Sequence, residues 1–297
     1  MKIIEKSIPD SDKIYKPKEP FEATVIENIR LTSANSEDDI RHLVIDISQS
    51  GISFLEGQSI GLIKPMEGEG RKYSKVRLYS IASARSGDDG LASTISLCVK
   101  RVVYKDKEDG KIKYGMMSNH VCDRQKGDKI HITGPVGRRF VLPEDENVNL
   151  IMIAVGTGIA PFRAFINFIY NERGSWKGKV RLFFGAKTGM ESIYMNDENN
   201  DLGLYYAQET YKAYKALSRE NTINEENAYV QHRIEEQRKD IWSMIKEGNF
   251  CLYICGLSAV LDGVENVFQK WAKEDGLVWD EMRKQFKKDG RWNVEVY

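Results

Sequence analysis

What this sequence lacks narrows its possibilities first. It has no excess of charge of either sign: lysine plus arginine equals aspartate plus glutamate, 44 each. That balance excludes a global nucleic-acid-seeking or membrane-seeking field and leaves only local charge complementarity. It has no long hydrophobic run either. The longest, "LIMIAVGTGIAPF" at 150–162, carries glycines and is too short to span a bilayer, so stable membrane insertion is not expected. "MKIIEKSIPDSDK" has neither the apolar centre of a secretory signal nor the acid-poor composition of a transit peptide. A cytoplasmic protein, or the mature stromal form of an organellar one, is expected. Internal repeats and low-complexity tracts are absent. There are only four cysteines, Cys98, Cys122, Cys251 and Cys255, with no CxxC and no spacing that suits zinc or a fused iron–sulfur cluster. They read as reduced thiols, with Cys98 and Cys251 as core residues.

What is present is a chain of 297 residues, 41% hydrophobic and 30% charged, enough for two cores of ~150 residues each. The first half reads as β. The segments 23–31, 41–47, 59–64, 76–82, 93–104 and 128–134 are short β-branched runs divided by Gly, Asp, Asn and Ser, which suggests an antiparallel barrel or sandwich. One short helix is expected at 118–124. The second half alternates. Strands are predicted at 149–156, 179–186, 210–218 and 250–256, and helices at 161–173, 232–248 and 259–276. Phe162, Phe165, Ile166 and Ile169 supply the helical spacing in the first of these helices, and Leu261, Val264, Phe268 and Trp271 supply it in the last. Such alternation implies a doubly wound parallel sheet. The Pro- and acid-rich "LPEDENVN" at 142–149 separates the two styles. The final "WNVEVY" has strand alternation, with Trp292, Val294 and Val296 on one face and Asn293, Glu295 and Tyr297 on the other.

Two motifs carry chemistry on their own terms. "AVGTGIAPF" at 154–162 is a strand, a Gly-rich turn and a helix opening on Pro161. Gly156 and Gly158 would let backbone approach a phosphate at a helix N-terminus. A tight turn with no ligand is the plainer alternative. In "RLYS" at 77–80, Arg77 and Tyr79 share a strand face, one suited to a pyrophosphate and the other to a flat ring. A strand with a surface arginine is the plainer reading there.

Nine segments in order, "RLYSIAS", "SLCVKRVVY", "MSNHVCD", "TGPVG", "GTGIAPFRAF", "SRE", "YVQHR", "YICG" and "WNVEVY", resemble the plant-type ferredoxin–NADP⁺ reductases from about residue 21 onward. The resemblance implies two domains, β then α/β: an antiparallel Greek-key FAD-binding barrel over 21–145 and a doubly wound NADP(H)-binding domain over 146–297, with 1–20 as an N-terminal extension. It implies an FAD-dependent oxidoreductase that exchanges hydride between nicotinamide C4 and flavin N5, with FAD bound non-covalently and NADP(H) as substrate. For FAD it implies Arg77, Leu78, Tyr79, Ser80, Cys98, Val99, Lys100, Tyr104, Gly115, Met116, Met117, Ser118, Thr157 and Tyr297, with Tyr104 on the adenine. For NADP(H) it implies Ser80, Lys100, Gly156, Thr157, Gly158, Ala186, Lys187, Ser218, Arg219, Tyr229, Gln231, Gly256, Leu257 and Glu295.

Ser80, Cys255, Glu295 and Tyr297 would form the catalytic group: Cys255 packs against the nicotinamide, Glu295 accepts from Ser80, and Tyr297 stacks on the isoalloxazine as a gate opposite Tyr79. Two departures stand out. Asn227 occupies a position usually held by lysine, beside Glu225 and Glu226, and Ala154 replaces a glycine of the turn. The expected partner is ferredoxin or flavodoxin, and the protein is expected to be a monomer. Lys64, Arg71, Lys72, Lys75 and Arg77, against only Glu67 and Glu69, offer a docking surface centred on Lys72 and Lys75; a solvated loop is the alternative. An NADPH-dependent flavin reductase serving an oxygenase or other multicomponent system keeps the cofactors and changes the partner. A nucleotide-binding regulator without turnover would not need Ser80, Cys255, Glu295 and Tyr297 together.

Overall fold

The computed structural model describes residues 4–6, 13–66, 72–220 and 228–297. Arg71, Glu67, Glu69, Glu225, Glu226 and Asn227 lie outside them.

The β-branched runs of the first half pair as six antiparallel strands: β1 (Phe21–Arg30), β2 (Ile40–Asp46), β3 (Ser59–Ile63), β4 (Arg77–Ser80), β5 (Thr94–Lys100) and, later in the chain, β8 (Lys129–Val136). Their order is β4-β3-β8-β1-β2-β5. An isolated bridge between Ile81 and Leu97 brings the two ends of this sheet together, so the sheet curls around a core of Val25, Leu43, Ile45, Ile60, Leu62, Ile95, Leu97, Ile130 and Ile132. Alternation puts these side chains inside.

The run predicted as one strand over 93–104 is in fact two. It breaks where Arg101 is held by Asp39 and Asp123. The chain then leaves the barrel as β6 (Val103–Lys105), hairpinned to β7 (Ile112–Tyr114). A short helix follows, α1 (Met116–Cys122).

The second half forms a wholly parallel sheet, β9 (Asn149–Val155), β10 (Val180–Ala186), β11 (Tyr211–Leu217), β12 (Phe250–Gly256) and β13 (Trp292–Val296), ordered β11-β10-β9-β12-β13. Leu150, Met152 and Ala154 of β9 face α2 (Ala160–Asn167), through Phe162 and Phe165. Ile151 and Ile153 face the other layer. That layer contains α3 (Val230–Glu236), α4 (Arg238–Glu247), α5 (Ala259–Glu274) and α6 (Trp279–Lys288). The helix predicted over 161–173 is shorter, passing into a π turn at Phe168–Glu172. The one predicted over 232–248 is broken at Gln237, whose ψ of 19° is not helical. Helix α6 is not anticipated by the sequence reading at all. On β13, Trp292, Val294 and Val296 pack on the helical layer as expected.

Two features tie the halves together. On the opposite face of β13, Asn293 is buried and accepts from Lys6, whose ammonium also reaches Arg139 O at 2.7 Å and lies 4.9 Å from the Tyr253 ring centroid. Burial lowers the Lys6 pKa to about 8. The second feature is a buried polar seam. Asp88 of the barrel receives Arg163 of α2 at 2.9 Å and lies 2.9 Å from His42 Nε2. Arg163 also donates to Ala82 O and pairs with Asp201, and His42 Nδ1 lies 2.8 Å from the Tyr194 hydroxyl. Burial alone would raise the Asp88 carboxyl. The His42 hydrogen bond and the Arg163 charge outweigh it and hold the group well below the usual range. Tyr194 keeps a left-handed φ of 63°, a conformation that persists only where surrounding contacts fix it.

Candidate functional site

The carboxyl ends of the parallel strands meet the end of β4, and four side chains converge there. Cys255 is in register between Ala154 of β9 and Glu295 of β13. Ser80 ends β4 close to Cys255, and burial, helped by the nearby Glu295, pushes the Cys255 thiol up to about 12. The expected hydrogen bond from Ser80 to the Glu295 carboxylate is not formed among the described residues. Among the described residues that carboxylate has no hydrogen-bond partner, and burial raises its pKa to about 7. The Tyr297 hydroxyl lies 2.5 Å from Thr157 Oγ1, and its ring stays 63% exposed. This junction is lined by a protonated thiol, a hydroxyl and a carboxyl that changes its charge near neutrality. In mildly acidic solution it offers an uncharged place for two rings to meet.

A cavity of about 500 Å³ opens from the Ser80 side. Arg77, Tyr79, Gly115, Met116, Met117 and Ser118 line it, joined by Met66, Tyr73, Ser74, Lys75 and Val102. The Arg77 side chain has no carboxylate partner among the described residues, and its one hydrogen bond is to the backbone at 3.4 Å. A Cβ on Gly115 would lie 2.7 Å from Ser118 Oγ, so this stretch needs glycine to fold so tightly. Large apolar side chains are left exposed around the opening: Leu78, Val102, Val103, Tyr104, Tyr114 and Met116. Exposed apolar surface on this scale marks a binding site. A flat apolar ring system carrying a pyrophosphate fits this combination, and FAD is such a molecule.

The other residues expected to hold FAD do not line this cavity. Cys98 and Val99 are buried, Lys100 lines a second cavity, and Leu78 and Tyr104, the latter on the β6–β7 hairpin, are exposed beside the opening.

The second cavity, about 530 Å³, lies over the parallel sheet. Gly156, Ala186, Lys187, Ser218, Arg219, Tyr229, Gln231 and Leu257 line it, together with Lys100 from the barrel. Ser218 and Arg219 are fixed by backbone bonds to Ala186 and Lys187. Gly156 takes a φ of +57° and a Cβ there would meet nothing within 4 Å, so this glycine leaves the turn open to a ligand. Gly158 has a different purpose. Its Cβ would lie 2.1 Å from Cys255 O, so the residue is glycine to let the turn rest on β12, not to admit a phosphate. Gly256 likewise abuts β9, where a Cβ would lie 2.6 Å from Val155 O.

Two lining residues, Asp38 and Glu191, were not foreseen. They lie in loops without periodicity, and no motif marks them. On the barrel side, Lys72 and Lys75 are at the surface, Lys72 lying 5.2 Å from the Tyr73 ring centroid. Among the described residues no cluster of His, Cys, Asp or Glu could hold a metal, and no helix is long and apolar enough to cross a membrane.

Comparison with known proteins agrees with this geometry. Residues 28–140 match the oxidoreductase FAD-binding domain family, and residues 152–266 match the oxidoreductase NAD-binding domain family. The ferredoxin–NADP reductase of a Picosynechococcus strain is 40% identical over 295 residues, covering 96% of this chain and 71% of the relative. That of Spirulina is 40% identical over 288 residues, covering 96% and 97%. The chloroplastic leaf isozyme 1 of indica rice is 39% identical, covering 95% and 78%. Among solved structures, the ferredoxin–NADP⁺ reductase of Plasmodium falciparum superposes with a TM-score of 0.73 at 25% identity, covering 97% of this chain and 100% of that one.

Proposed function

This chain belongs to the ferredoxin–NADP⁺ reductase family, and from that premise we propose how its residues divide the work. The protein is an FAD-dependent oxidoreductase that exchanges electrons between NADP(H) and ferredoxin. When bound, FAD supplies the chemistry that converts a two-electron hydride into single electrons.

Arg77 neutralises the FAD pyrophosphate, with Gly115–Ser118 closing beside it, and Tyr79 gives its ring to one face of the flavin. Gly156 and Thr157 receive the dinucleotide pyrophosphate. Ser218, Arg219 and Tyr229 hold the 2′-phosphoadenosine, which favours NADPH over NADH. Ser80, Cys255 and Glu295 line the point of hydride exchange, exclude water and impose little charge. Tyr297 would cover the flavin face that the nicotinamide needs and would have to move aside to admit it.

One observation carries this reading. Cys255, at the carboxyl end of β12, is in register with Glu295 of β13, and from there Leu257 leads into the cavity over the parallel sheet, while Tyr297, which follows β13, meets Thr157 of the glycine-rich turn. The residues assigned to hydride exchange therefore gather at the carboxyl ends of the parallel strands, where a doubly wound sheet binds its ligands. The four free, buried cysteines support a reducing compartment, cytoplasm or stroma. Flavodoxin is an alternative carrier, and the working unit is a monomer.

The surface lysines Lys72 and Lys75 favour docking of an acidic partner beside the flavin. Reversing the charge of Lys72 (Lys72→Glu), which does not line the cavity, should lower ferredoxin turnover by about threefold at low salt, less at high salt, with ferricyanide reduction by NADPH unchanged. Equal losses in both assays would remove the docking assignment.

A further inference from the structure

The cavity over the parallel sheet carries an anion of its own. Asp38, on the loop between β1 and β2, has one carboxylate oxygen 2.7 Å from Lys100 Nζ and the other 2.7 Å from Lys187 Nζ. Lys100 ends β5 of the barrel and Lys187 follows β10 of the parallel sheet, so one carboxylate bridges the two domains. The loop is held in place. Thr32 Oγ1 donates to Asp38 O at 2.5 Å, the Asp38 N–H donates to Ser36 Oγ at 3.1 Å, and Ser36 Oγ donates to Glu191 Oε1 at 2.7 Å. The Asp38 side chain is only 16% exposed, so water screens these pairs incompletely. Glu37, beside it, reaches Arg219 loosely at 3.9 Å, with both side chains exposed. Each cation lining this cavity is thus faced by a carboxylate of the chain itself.

A carboxylate presents two oxygens and a negative charge much as a phosphate does, and both recruit the same cations. A dinucleotide whose pyrophosphate reaches the open turn at Gly156 therefore meets lysines that are already neutralised. Its gain is the difference between two sets of ion pairs, not the sum of a new one. We propose that Asp38 is a specificity-determining counter-ion that competes with the pyrophosphate of NADP(H) for Lys100 and Lys187 and so keeps the nucleotide exchangeable. The inference rests on reading this cavity as the NADP(H) site. It concerns Lys100 and Lys187 alone, since Arg219, assigned to the 2′-phosphate, is faced by Glu37 and not by Asp38.

The test uses FAD-loaded protein and titrates NADP⁺ and, separately, 2′-phospho-AMP, which has the adenosine phosphate but no pyrophosphate. For Asp38→Asn, NADP⁺ should bind about three- to tenfold more tightly at low salt, with a matching fall in the KM for NADPH. The gain should shrink at high salt, and 2′-phospho-AMP affinity should not change. Asp38→Glu, which keeps the charge, should stay close to wild type. Flavin absorbance and the thermal midpoint check that each variant is folded. If Asp38 merely orients the two lysines, Asp38→Asn will bind NADP⁺ no better or more weakly than a wild type that binds it well, and the inference falls. If the wild type binds neither probe, the NADP(H) reading of the cavity falls instead.

Discussion

The two cavities are nearly equal in size, about 500 and 530 Å³, and differ in how their positive charge is answered. The barrel cavity offers Lys75 and Arg77 with no acid among its described lining residues. The cavity over the parallel sheet offers Lys100, Lys187 and Arg219, but also Asp38 and Glu191. The contrast matches what each site is asked to do. A cofactor that stays through many cycles gains from cations with no other partner, because all of their attraction goes to its phosphates. A substrate that must leave each cycle is better served by cations that have somewhere to return.

The comparison breaks most sharply at Arg77. Arg77→Ala should cost about 2–5 kcal/mol of FAD binding. The purified protein would lose most of its yellow colour on gel filtration, read as the flavin-to-protein absorbance ratio. Full flavin retention would mean that an unanswered cation is not what holds the cofactor.

A smaller change is expected at Arg219, which is 63% exposed. Arg219→Ala should raise the KM for NADPH about tenfold and leave that for NADH nearly as it was, narrowing the preference between them. Steady-state kinetics with both nucleotides decides this, and parallel rises for the two would detach Arg219 from the 2′-phosphate.

The smallest effect lies where the hydride is exchanged. Glu295 titrates near pH 7 in the fold against an ordinary value of 4.5. The unfolded chain therefore gives up this proton first, and the fold loses stability as pH rises between those values, keeping the loss above them. Glu295→Gln should raise the thermal midpoint at about pH 8 and leave it unchanged at about pH 4. It should also flatten any step near neutrality in the rate of NADPH-driven flavin bleaching, by a few-fold at most. A midpoint difference that does not vary with pH would contradict the raised pKa.

Much of this is legible in the sequence. Period-two runs and strand–helix alternation are local properties, so the antiparallel and parallel sheets are both readable from them. Gly156 and the alternation of "WNVEVY" follow from the same reasoning. Where the sequence misleads, the cause lies outside the local pattern. The run 93–104 is continuous in β propensity, and only Asp39 and Asp123, distant in sequence, make it turn at Arg101. Helix α6 is different: Trp279, Met282 and Phe286 recur at i, i+3 and i+7, a helical period that is present in the local sequence. Gly158 looks like part of a phosphate turn, yet its constraint comes from the backbone of Cys255, far later in the chain. Asp38 is invisible for a related reason: an ion bridge needs its partners in space, and its own loop advertises nothing.

The buried seam has a consequence for recombining enzymes of this kind. Arg163 belongs to the nucleotide half, but two of its hydrogen-bond acceptors, Asp88 and Ala82 O, belong to the flavin half. A chimaera that joins this barrel to a foreign nucleotide half would inherit His42 and Asp88 without a guarantee of their guanidinium and phenol. An uncompensated buried charge is among the costliest defects a fold can carry. Successful hybrids should therefore be those whose parents agree at His42, Asp88, Arg163, Tyr194 and Asp201 together, however much they differ elsewhere.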